Sequence, residues 1–107
     1  MKYREIYKAL ERRWKVSPGF RFSDFSGWRN PKGTYIDRTR LLWIVVEDRV
    51  SKQRIWLTHD AGVLKISYTK IDEHGKNHGK TQHVICSTQA DMVREFEKLF
   101  VIQEAAA

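Results

Sequence analysis

The amino-acid sequence predicts an α+β fold, an antiparallel β-meander of four to five strands flanked by an N-terminal and a C-terminal α-helix. Three observations predict it. Apolar residues recur at helical spacing near both ends of the chain, over residues 3–14 and 92–100. Between them lie short stretches rich in β-branched and aromatic residues, separated by polar or glycine-bearing connections. Those connections are short, which favours hairpins over parallel crossovers.

Residues 2–14 read as an amphipathic helix. Tyr3, Ile6, Tyr7, Leu10 and Trp14 share one face, while Lys2, Arg4, Lys8, Glu11, Arg12 and Arg13 fall elsewhere on the wheel. Ser17-Pro18-Gly19 should stop this helix by Val16. Phe20 and Phe22 alternate with Arg21, as in a short extended piece packed on one side. Asn30-Pro31-Lys32-Gly33 is a turn signal, and a further extended segment is expected over residues 34–40.

The meander is firmer. Leu41–Val46 is a continuous apolar run of the kind a central strand carries. Residues 47–52 suit a hairpin connection, 54–58 a strand and 59–62 a turn in which Gly62 takes positive φ. Val63, Lys65, Ser67 and Thr69 alternate with Leu64, Ile66, Tyr68 and Lys70, a half-buried strand. A polar connection over 72–80 leads into a strand over 81–86. Thr88 stands as N-cap of the closing helix, with Asp91 three residues on, and Val93, Phe96 and Phe100 form its stripe, widened by Met92 and Leu99.

A chain of 107 residues fits one domain: a basic helix plus aromatic loop over 1–40, then the meander and C-terminal helix over 41–104. Hydrophobic residues at 41% are too many for a disordered chain, and a single cysteine excludes an intramolecular disulfide framework. No run approaches the roughly 18 apolar residues of a membrane span. The charged residues 1–5 lead into no apolar run, so no secretory signal is expected, and the expected location is cytoplasmic.

The net charge of +7 is unevenly placed. Residues 1–40 hold eleven Lys/Arg against four Asp/Glu, whereas residues 41–107 hold nine of each. Eight of the thirteen aromatics also lie in the first 40 residues. Cations beside aromatics suit phosphates and stacked bases, so DNA or RNA is the expected partner. The candidate contacts are Lys8, Arg12, Arg13 and Lys15 on the helix, with Arg21, Phe25, Trp28, Arg29, Lys32, Arg38 and Arg40 beyond it. The structural alternative is that Phe20, Phe22, Phe25 and Trp28 cap one end of the core. The functional alternative is a protein-interaction or inhibitor module docking on an acidic protein, phage or plasmid origin being a guess at context; a homodimer is compatible with either.

Other chemistry has less behind it. His74, His78, His83 and Cys86 have the types and number of zinc ligands, but not the spacing of a known finger. On a strand His83 and Cys86 point to opposite faces, and Cys86 reads more simply as a small core residue. Glu47-Asp48 and His59-Asp60 could meet at hairpin ends, yet adjacent carboxylates on a strand diverge. No nucleophile elbow, phosphate loop or dinucleotide fingerprint is present. No enzymatic activity, metal or other cofactor is expected.

Overall fold

The computed structural model describes residues 3–17, 19–24, 27–29 and 42–106, without the side chains of Arg29 and of residues 101–106. In chain order its elements are α1 (Arg4–Val16), β1 (Phe20–Asp24), β2 (Gly27–Arg29), β3 (Leu42–Asp48), β4 (Gln53–Asp60), β5 (Val63–Ile71), β6 (Asn77–Cys86) and α2 (Gln89–Ala106). All strand pairs are antiparallel, in the order β2-β1-β3-β4-β5-β6. The expected meander is β3 to β6, with β3 central between β1 and β4. The β1–β2 hairpin extends the sheet beyond it. The segment expected over 34–40 and the Asn30–Gly33 turn lie outside the described residues.

Strand alternation sorts the side chains into two layers. Phe20, Phe22, Leu42, Ile44, Val46, Ile55, Leu57, Leu64, Ile66 and Cys86 face one side and are buried. Onto that side pack Ile6, Tyr7, Ala9 and Leu10 of α1, with Met92, Phe96 and Phe100 of α2. Both helices therefore lie on one face of the sheet. Phe96 and Phe100 meet edge to face at 5.1 Å, Phe20 tilts against Phe100 at 6.3 Å, and Arg12 bridges the helices to Glu97 at 2.8 Å. The α2 stripe centres on Met92, Phe96 and Phe100, with Val93 and Leu99 only partly buried, one residue off the expected centre.

Local chemistry sets the boundaries. Before a proline the backbone is pushed out of the helical region, and Ser17 takes φ −129° and ψ 107° directly after α1. Its hydroxyl then donates to both carboxylate oxygens of fully buried Asp48, at 3.0 and 3.2 Å. Ala61 and Gly62 have φ of 50° and 78°, the double positive pair of a tight I′ hairpin turn. Thr88 Oγ accepts the Asp91 N–H at 3.1 Å, so the expected N-cap is in place.

Several strand boundaries differ from expectation: β3 takes in Glu47 and Asp48, expected in the connection, and β4 takes in His59 and Asp60, expected in the turn. β6 starts at Asn77, not at residue 81. Asp72 closes the loop early, because its carboxylate accepts the N–H groups of His74 and Lys76, each at 2.9 Å. Those bonds hold its carboxyl below the usual aspartate range, the Lys76 bond most of all, with the charges of His74 and His78 assisting. Side-chain polarity read as loop thus hides four strand residues at a sheet edge.

Candidate functional site

The opposite face of the sheet carries no helix among the described residues. One row across it, read from the strand register, runs Trp28, Ser23, Val45, Trp56, Ser67, His83. The next row runs Trp43, Thr58, Lys65, Ile85. Between β3 and β6 these side chains line an open concavity of about 900 Å³, with Trp43, Trp56, Lys65, Ser67, His83 and Ile85 on its walls. Trp28 is 46% exposed and Trp43 40%, which is high for the largest apolar side chain. Exposed apolar surface gathered on one face marks an interaction site more often than scattered apolar residues do.

A third row holds the charges. Arg21, Glu47 and Arg54 lie side by side on β1, β3 and β4. Glu47 is buried and takes Arg21 at 2.9 Å on one oxygen and Arg54 at 2.7 Å on the other. Burial alone would raise its carboxyl, but the hydrogen bonds and charges of both arginines outweigh that and hold it below the usual glutamate range. Arg54 also donates to Asn77 Oδ1 and to the Gly75 carbonyl, each at 2.6 Å, so it is occupied with holding the β4–β5–β6 end. Arg21 is half exposed and lies 4.1 Å above the Trp28 ring, a cation–π stack. Lys65 is in no ion pair among the described residues, and the Ser67 hydroxyl sits 2.8 Å from His83 Nδ1.

The residues singled out from the sequence do not form one surface. Lys8, Arg12 and Lys15 lie exposed in the helix layer, paired with Glu5, Glu97 and Glu11. Arg13 is nearly buried, its guanidinium 4.1 Å above the Phe100 ring and 3.7 Å from Asp48, so its surroundings are those of a core support. Arg21 and Trp28 stand on the opposite side of the molecule, on the open face. Arg29 belongs to β2 in backbone, its side chain being outside the described residues, as are Phe25, Lys32, Arg38 and Arg40. Phe20 and Phe22 are core.

Among the described residues no three His, Cys, Asp or Glu side chains gather as metal ligands. His83 lies on the open face, whereas Cys86 is buried on the helix side and packs in the core. Burial, then the charges of Glu95 and Asp91, push the Cys86 thiol up, which opposes activation by the start of α2.

Sequence reasoning missed Trp43, Trp56, Lys65, Ser67 and His83 as a group. Strand parity could have found them, because they alternate with Ile44, Leu57, Leu64, Ile66 and Val84. What the pattern lacked was the knowledge that both helices cover the same face. Among the described residues no helix is long and apolar enough to cross a membrane. Set against protein-family models, curated proteins and solved structures, the chain matches none of them.

Proposed function

We propose that this chain is a non-enzymatic nucleic-acid-binding protein that takes single strands on the open face of its sheet. The observation that supports this reading is the shared face of Trp28, Trp43 and Trp56 with Arg21 and Lys65. Unpaired bases offer flat π-faces, and each base stacked on an aromatic contributes about 1–3 kcal/mol. The edges and faces of bases inside a duplex are not accessible to a flat sheet of indoles, so single strands or splayed sites fit better. The overall charge of +7 draws a polyanion toward the molecule and is screened by salt. In this reading the helix-layer cations Lys8, Arg12 and Lys15 steer, and the sheet face binds.

A second reading, an acidic protein partner on the same face, draws on Val63 and Ile85. They are 44% and 67% exposed and line the same concavity as Trp43, apolar surface that a protein partner would cover.

Fluorescence anisotropy with labelled single- and double-stranded oligonucleotides over a salt series tests the proposal. It expects micromolar or tighter single-strand binding that weakens linearly in log–log against salt. No binding at low salt, or equal affinity for the duplex, contradicts it.

A further inference from the structure

Ser67 and His83 are cross-strand neighbours on β5 and β6, joined at 2.8 Å through His83 Nδ1. Ser67 is only 8% exposed, whereas His83 is exposed at the wall of the concavity. That difference selects the proton arrangement. If Nδ1 carried the hydrogen and donated to the serine, the hydroxyl proton would be left in a buried place with no other acceptor among the described residues. A buried donor left without a partner is penalised, whereas donation to Nδ1 satisfies it. Nε2, the ring nitrogen not engaged by Ser67, is then the one that serves as a donor.

A second donor stands beside it. Lys65 is two residues before Ser67 on the same face, which places it diagonal to His83. Diagonal partners on adjacent strands lie about 7–8 Å apart at their origins, within reach of a lysine stem. Trp43 and Trp56 are diagonal in the same way on β3 and β4, and both line the same concavity. The site thus offers indole faces and, at one edge, two hydrogen-bond donors.

Resting on the nucleic-acid reading above, we infer that this concavity is a base-selective position that prefers guanine. Guanine presents two adjacent acceptors, N7 and O6, on one edge. On that same edge adenine keeps N7 but carries an amino donor in place of O6, and cytosine carries an amino donor with no N7 beside it. The base stacks against Trp56 and Trp43, and the two donors close on its edge.

The test is anisotropy with short thymidine oligonucleotides that differ only in one central base, guanine, adenine or cytosine. The guanine strand is expected to bind about fivefold more tightly than the other two, the low end for a two-donor contact. His83→Ala and Ser67→Ala are expected to bring the guanine strand down to the level of the others. Both should leave the circular dichroism spectrum unchanged, and each should weaken the guanine strand more than it weakens an all-thymidine strand. Equal affinity for all three strands overturns the guanine site and leaves the sheet-face reading standing. Preference for adenine or cytosine overturns the guanine assignment. Failure of every strand to bind overturns both the site and the reading beneath it.

Discussion

Glu47 and Asp48 are consecutive residues of β3, and their carboxylates serve opposite faces of the sheet. Glu47 holds Arg21 and Arg54 on the open face. Asp48, fully buried, accepts the Ser17 hydroxyl and the Val50 N–H on the helix side, with Arg13 at 3.7 Å. Strand parity makes this division, and it keeps the two charges from converging on one ion.

The Glu47 carboxyl is held below its ordinary range, so the unfolded chain takes up this proton at a higher pH than the native one. Its contribution to stability is therefore complete above the ordinary glutamate pKa and is lost as pH falls from there through the folded value. Glu47→Gln removes that part of the acid dependence and costs about 1.5–3 kcal/mol at neutral pH, as expected for charge-assisted hydrogen bonds. Urea unfolding at neutral and acidic pH checks both. An unchanged acid slope would show that the pair does no such work.

Arg13 is expected to act on stability. Its guanidinium covers the Phe100 ring and faces buried Asp48, so Arg13→Ala should cost about 2 kcal/mol through lost packing and an uncompensated carboxylate. Lys8→Ala and Lys15→Ala, both lysines being exposed and paired within their own helix, should each stay within about 0.5 kcal/mol. Thermal unfolding of the three variants separates them.

On the proposed single-strand reading, stacking should give the open face its largest binding effect. Trp28→Ala should weaken single-strand binding between about fivefold and a hundredfold, with a small change in melting temperature because the ring is already half exposed. The triple variant Lys8→Ala, Arg12→Ala, Lys15→Ala should lower the association rate and the salt slope, yet weaken binding less than Trp28→Ala alone. A larger loss from the helix variant would move the interface to α1.

Gly62 holds the second position of the β4–β5 turn at φ 78°. Gly62→Val keeps the space, since nothing lies within 4 Å of the new Cβ, but forces a β-branched residue into the left-handed region. A loss of about 1–3 kcal/mol is expected in chemical denaturation.

Much of the frame was legible because it rests on local chemistry. The Ile6–Leu10 stripe, the stop at Ser17, the Thr88 cap and the Gly62 turn are all decided within a few residues. The site was less legible because it depends on layering. Trp43 and Trp56 sit in strands whose apolar content reads as core, and only the packing of both helices against Ile44 and Leu57 leaves their neighbours uncovered. Lys8 and Arg21 are close in sequence and bear the same charge, yet α1 and β1 carry them to opposite sides of the molecule. Charge counted along the chain cannot separate those two surfaces.

The indole N–H resonances of the four tryptophans test the central claim most directly. Trp28, Trp43 and Trp56 stand on the open face, while Trp14 of α1 packs against the core on the helix side and serves as an internal control. In a ¹⁵N-correlated titration with a single-stranded oligonucleotide, the account predicts that the first three shift and saturate together while Trp14 stays in place. Movement of Trp14 and the α1 amides with the other three unmoved would contradict it.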